Sequence, residues 1–167
     1  PERLVRVYEG STDDPAFQGF LRVPVAREYR SWDEVFESFA AIYTYREVGA
    51  DLTQGDRPTR VTVLRVSAGY FQTLGVEPIR GRAFLEEESY GVGESGGSRD
   101  IISRVAIISS RLWREHLSED PNVIGRTIQL DGFAFEIVGV APPSFVNPFG
   151  AQGDVWIPQD MRLGGSN

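Results

Sequence analysis

The stretch Arg126-Thr127-Ile128-Gln129-Leu130-Asp131-Gly132-Phe133-Ala134-Phe135-Glu136-Ile137-Val138-Gly139-Val140 holds the clearest folding instruction in the chain. Two β-prone runs flank Asp131-Gly132, a dipeptide that tolerates the positive backbone angles of a two-residue hairpin turn. Pro142-Pro143 follows and ends the second run, because proline has no N–H to give to a ladder. The pattern predicts an antiparallel hairpin closed at Asp131 and Gly132.

Upstream, Val105-Ala106-Ile107-Ile108 is a compact candidate for a buried strand. Ser109 and Ser110 then offer caps for a helix carrying Leu112, Trp113 and Leu117 on one side, so strand and helix are expected to pack together. Residues 40–53 and 59–66 read as a second hairpin, turning at Gln54-Gly55-Asp56. Ser67 is a candidate cap for a short helix whose Tyr70, Phe71 and Leu74 lie together. Gly75 stands where a left-handed terminating residue is wanted, with apolar Val76 beyond it.

Further toward the N-terminus, residues 4–8 suggest a strand that breaks at Gly10 and Asp13-Asp14-Pro15. Ser31 and Glu34 have capping-box spacing ahead of Trp32, Val35, Phe36 and Phe39 at helical intervals. Residues 86–103 combine Glu86-Glu87-Glu88 with four glycines and few large apolar groups, which predicts a mobile surface loop. Residues 154–157 read as a short strand and 164–167 as a loose tail. Hairpins mixed with short helices give an α+β fold of hairpin-rich sheets, with no internal repeat.

A chain of 167 residues, 41% hydrophobic, can bury a core for one or two compact units. Its 24 acidic against 17 basic side chains, without a dense basic stripe, argue against nucleic acid as a partner. Without cysteine there is no disulfide, thiolate metal site or cysteine nucleophile. No run approaches the roughly 20 apolar residues of a membrane span. The start, Pro1-Glu2-Arg3, has neither an initiating Met nor a signal peptide, and reads as the beginning of an excerpt from a longer chain.

Reactive constellations are sparse. His116, the single histidine, falls one turn after Leu112 and reads as a structural or rim residue. No serine lies in a nucleophile elbow. The Glu86 to Glu88 run lacks the alternating ligand spacing of a calcium loop, and Gly91, Gly93, Gly96 and Gly97 are followed by no Gly-Lys-Ser/Thr phosphate cradle. Trp32, Trp113, Trp156, Tyr43 and Tyr45 could mark a sugar or peptide site, but at least the first two lie on apolar helix faces where core packing is the commoner role. Catalytic, metal and cofactor-binding residues are therefore expected to be absent.

From residue 66 onward the chain carries motifs in a recognisable order. Val66-Ser67-Ala68-Gly69-Tyr70-Phe71-Gln72-Thr73-Leu74-Gly75-Val76 leads to Arg80-Gly81-Arg82-Ala83-Phe84. Then come residues 105–109, Arg111-Leu112-Trp113, Asp120-Pro121-Asn122-Val123-Ile124-Gly125-Arg126, residues 135–143 with Gly139 and Pro142, and Asp154-Val155-Trp156-Ile157-Pro158. This series resembles the MacB-like periplasmic core domain of ABC transporter permeases of the MacB and FtsX-like class, specifically over residues 60–158.

The resemblance implies a porter-like layer, incomplete here, whose first half is residues 1–66. A sabre-like subdomain would span 67–158 with the loop 86–103 inside it, and 159–167 would form a tail. It implies fold-specifying roles for Tyr70, Phe71, Leu74, Gly75, Gly81, Arg82, Phe84, Trp113, Pro121, Gly125, Asp131, Gly132, Gly139, Pro142, Asp154, Trp156 and Pro158. The implied role is non-catalytic: an extracytoplasmic domain at the periplasmic face of the inner membrane, coupling cytoplasmic ATP hydrolysis to periplasmic conformational change. Its implied partners are the permease's own transmembrane helices, a second permease copy, the cytoplasmic ATP-binding domain or subunit, and a periplasmic adaptor. The competing reading is a free-standing module that binds a sugar, lipid or peptide. The 86–103 stretch is longer than the family pattern, and the second half of the porter-like layer is not in this sequence.

Overall fold

The computed structural model describes residues 9–10, 18–19, 42–53, 58–89, 103–148 and 152–158, with only the backbone described for 9–10, 18–19, 42–48 and 89. The strand expected at 4–8, the helix expected behind Ser31, residues 90–102 and the tail 159–167 lie outside the described residues. The strands are β1 (Glu9–Gly10), β2 (Gln18–Gly19), β3 (Ile42–Thr53), β4 (Pro58–Val66), β5 (Arg80–Gly81), β6 (Val105–Ser109), β7 (Thr127–Leu130), β8 (Phe133–Ala141) and β9 (Val155–Pro158). The helices are α1 (Tyr70–Thr73), α2 (Glu86–Ser89) and α3 (Ser110–Leu117). The α+β class expected from the sequence is the observed one.

Hairpin β7–β8 forms with Leu130 opposite Phe133. Asp131 and Gly132 both take positive φ, 49° and 80°, as the twist of a two-residue turn demands. The Asp131 side chain adds a tie beyond its own hairpin, its Oδ1 accepting from Asp51 N at 2.8 Å. Hairpin β3–β4 also forms, with Thr53 opposite Pro58 and a register irregularity between Tyr43 and Val48.

Non-local pairing then joins these hairpins into a ring. β4 lies parallel to β9, β9 antiparallel to β6, and β6 parallel to β8. β8 pairs with β7, and β7 with β3, which returns to β4. The hydrogen-bond circuit therefore closes, leaving β5 as a short addition beside β7 along β8. Closure pairs Leu52 and Thr53 on both sides, whereas the ladder partners of residues 42–51 of β3 lie on β4 alone. It also runs across the division expected at residue 66, since β3 and β4 belong to the same sheet as β6 to β9.

Side-chain alternation sorts the apolar residues between two cores. Val61 and Val63, Ala106 and Ile108, Ile128 and Leu130, and Val155 and Ile157 share one cluster with Leu112 and Leu117 of α3. Leu64, Val66, Ile107, Val138 and Trp156, one step out of phase, form a second cluster with Tyr70 and Phe71 of α1. In β8 the phase slips where Ala106 opposes Ile137 but Ile107 opposes Gly139. That bulge lets Ile137 and Val140 reach one core while Val138 and Ala141 reach the other. Phe71 is fully buried, and its truncation to Ala would cost about 3–5 kcal/mol.

Two local expectations are corrected. Ser67 is not a side-chain cap: α1 starts later, at N-cap Gly69 with no side-chain cap bond, and it is the Ser67 carbonyl that accepts from Tyr70 N at 3.1 Å. The loop expected over 86–103 begins instead with the helical turn α2. Glu88 orders it by accepting from Leu85 N at 2.8 Å, the reach-back half of a capping box, and by taking both Arg82 nitrogens at 2.7 and 3.0 Å. Ser109 does cap α3, accepting from Leu112 N at 3.0 Å, while Ser110 is its first helical residue.

Candidate functional site

Helix α1 brings Tyr70 and Phe71 into the second core, and Gly75, at φ 65°, ends the helix and turns the chain away. Val76 N donates back to Phe71 O at 2.9 Å, which fixes the exit. Opposite it runs the β8–β9 connection, stiffened by Pro142, Pro143 and Pro148. Between the two lies a groove of about 350 Å³, lined by residues 74–77, by Pro142 and Ser144–Val146, and by Pro148. Val146 stands at its rim, 67% exposed.

The groove rests on a stack of aromatic rings. Phe145 packs 5.5 Å from Phe71 and 5.6 Å from Trp156, and Phe71 meets Trp156 edge-on at 5.4 Å. Tyr70 donates its hydroxyl to Asn147 Oδ1 at 3.1 Å, and Asn147 is itself buried. Burial holds the Tyr70 hydroxyl protonated by raising its pKa well above the ordinary tyrosine value. Among the described residues of the lining Glu77 is the single charged one. Such walls can hold an apolar shape, but they bring no nucleophile and base together.

A second surface feature lies where β5 meets α3. Arg80 places its guanidinium over the Trp113 ring, 5.2 Å from the centroid. Trp113 donates its indole N–H to the Asp120 carbonyl at 3.0 Å, so the ring is held in one orientation. Asp120 in turn organises the loop after α3: its carboxylate accepts from Asn122 N at 2.9 Å and Arg126 Nη1 at 2.7 Å. These contacts, the backbone bond first, hold the Asp120 pKa below the usual carboxylate value.

The residues singled out by sequence are distributed through this scaffold. Tyr70, Phe71, Phe84 and Trp156 meet in the second core, with Leu74 packed against it. Gly81 follows Arg80 in β5, where a Cβ would lie 2.1 Å from Val138 O, and a Cβ at Gly139 would lie 2.4 Å from Arg82 O. Arg82 reaches Glu88, which raises its pKa. Pro121 and Gly125 lie in the loop after α3, Asp131 and Gly132 at the β7–β8 turn, Pro142 just past β8, and Pro158 ends β9. Asp154 is buried ahead of β9, paired with Arg111, and its Oδ2 accepts from Thr62 N at 3.0 Å.

His116 is exposed on α3. Among the described residues no three His, Asp or Glu side chains converge as metal ligands. Of the aromatics considered as ligand platforms, Trp156 is buried and Trp113 is half-buried; Trp32 and the side chains of Tyr43 and Tyr45 lie outside the described residues. Sequence reasoning missed Phe145, Asn147 and the Arg80–Trp113 pair. The aromatic residue soon after Pro142-Pro143 could have pointed to Phe145, whereas nothing local announces the other two.

The described residues thus form a closed sheet with two cores, a groove beside Phe145 and a stacked Arg80–Trp113 pair. Residues 2–166 match the family of MacB-like periplasmic core domains, and the chain belongs to that family, the extracytoplasmic domain of MacB/FtsX-like ABC transporter permeases. The periplasmic region of MacB from Actinobacillus actinomycetemcomitans has the same fold. It is 16% identical, with a TM-score of 0.60 over 95% of this chain and 68% of that one. The extracellular domain of the noncanonic ABC-type transporter YknZ from Gram-positive bacteria is also 16% identical, with a TM-score of 0.57 over 90% of this chain and 70% of that one. No curated protein matches. Among the described residues no helix is long and apolar enough to cross a membrane.

Proposed function

We propose that this domain sits on the extracytoplasmic face of the inner membrane as a non-catalytic part of its permease, passing movement driven by cytoplasmic ATP hydrolysis to partners outside. The observation that most supports the reading is the way the chain enters and leaves the sheet. Ile42, the first residue of β3, pairs with Val66, and Val66 pairs with Pro158, the last residue of β9. Both passages therefore lie at one end of a closed circuit. A body tied at one end and too well packed to deform transmits a displacement applied there as a rigid motion.

In this role the transmembrane helices of the same permease drive the motion, a second permease copy faces it across a dimer, and an ATP-binding domain or subunit supplies the energy. A periplasmic adaptor is the natural recipient. The purified chain then neither binds nor hydrolyses ATP: incubation with Mg-ATP releases no phosphate above background and leaves the unfolding midpoint in place. Phosphate release that tracks the purified protein would contradict the assignment.

The groove beside Phe145 favours one second reading, a module that binds a small apolar ligand, because its volume reaches the lower end of the range for such sites. A ligand of that kind binds the native state alone and raises the unfolding midpoint with the logarithm of its concentration above Kd.

A further inference from the structure

The chain carries net charge −7, and four of its described arginines face carboxylates. Arg60 meets Asp51 at 2.9 Å, Arg82 meets Glu88 at 2.7 Å, and Arg126 meets Asp120 at 2.7 Å. Arg111 meets Glu115 and Asp154. Arg80 and Arg104 instead lie over rings, Trp113 and Phe133, and face no carboxylate among the described residues; of the two rings only Trp113 is also held by a hydrogen bond of its own. Arg114, exposed and next to Trp113 in the helix, also faces no described carboxylate.

A guanidinium stacked on an indole is oriented without using its edge N–H groups, which stay available for a planar, two-pronged acceptor. The Trp113–Asp120 hydrogen bond fixes the ring, so the arrangement is in place before any partner arrives. Ile124, 40% exposed, borders it: a Cβ on Gly81, the neighbour of Arg80, would lie 2.7 Å from Ile124 Cδ1. The patch thus joins cationic donors to apolar surface. Glu115 and Glu119 are exposed close by in sequence and would repel a polyanion such as nucleic acid, whereas a single carboxylate between apolar side chains fits.

We propose that Arg80, Trp113 and Ile124 form a docking site for an acidic, partly apolar segment of a partner protein. Arg80 takes one carboxylate bidentately, and an adjacent apolar side chain covers Ile124 and the exposed part of Trp113. The site requires no coupling to ATP and stands or falls independently of the role proposed above.

The test is a titration of the whole 167-residue chain, followed by ¹⁵N NMR, with a capped Gly-Ser peptide carrying one Glu between two Leu residues and with its counterpart in which Gln replaces that Glu. The acidic peptide is expected to shift the Trp113 indole and Arg80 Nε–H resonances saturably, and raising salt from about 0.05 to about 0.5 M weakens the affinity severalfold. Arg80→Ala weakens it about tenfold, the loss of a charge-assisted pair. Arg80→Lys keeps the charge and the fold but loses most of the affinity, because the planar fork is gone. Arg104→Ala, which breaks the separate Arg104–Phe133 contact, leaves binding unchanged. The proposal is overturned if neither peptide moves these resonances, if the neutral peptide moves them equally, or if Arg80→Ala binds like the parent chain.

Discussion

At Gly81 two constraints meet in one residue: a φ of 71° and a Val138 carbonyl oxygen 2.1 Å from where a Cβ would stand. Gly132 has the first constraint without the second, since nothing lies within 4 Å of its Cβ position. Gly132→Ala is accordingly expected to lose about 1–2 kcal/mol, the cost of a left-handed L-residue. Gly81→Ala loses clearly more, because β5 must also move off β8; urea unfolding of the two variants side by side measures the difference. Equal losses would mean that the close approach at β5 does not constrain the fold. Tyr70 gives a pH-dependent counterpart. Its folded-state pKa is raised by burial, so an unfolded-state tyrosine ionises first. Its contribution is complete below the ordinary tyrosine value and declines as pH rises past roughly 10. Tyr70→Phe is expected to flatten the alkaline fall in stability, read as the urea midpoint against pH, relative to the parent chain.

Among the elements, those legible in the sequence are those whose instructions are local. Asp131-Gly132 specifies its turn within two residues, and Ser109 with Leu112, Trp113 and Leu117 specifies α3 within nine. The end of α3 was not legible: Ser118 and Glu119 both adopt left-handed angles, φ 53° and 52°, where glycine is the usual residue. They are held there in part because Glu119 N donates to Trp113 O at 3.1 Å. Ser118→Gly should relieve that strain and raise stability by about 0.5–1 kcal/mol in equilibrium unfolding. An unchanged or lower stability would show that surrounding contacts already compensate for the angle. The α2 turn was missed for a related reason. Its composition reads as solvated, but Glu88 has partners on both Arg82 and Leu85 that composition does not reveal.

For the whole molecule, motif order pointed to the family, whereas the path of the sheet was hidden. The parallel β4–β9 pair joins residues 63–66 to 155–158, and the ring closes only through Leu52 opposite Leu130 and Thr53 opposite Gln129. Alternation within each strand indicates which side chains are apolar, but not which of two cores receives them. The β8 bulge shifts that phase with no signal beyond Gly139 itself. The same closure is what supports a rigid transmitting role for a chain whose entry and exit lie side by side. The most direct test is a distance measurement in the intact permease, made cysteine-free elsewhere, with its ATPase partner. The chain has no native cysteine, so His116→Cys on the exposed face of α3 gives one spin label per copy. The coupling account predicts that the label-to-label distance distribution across the permease dimer moves between the nucleotide-free and ATP-trapped states. A distribution that stays fixed while the permease continues to turn over ATP would contradict it.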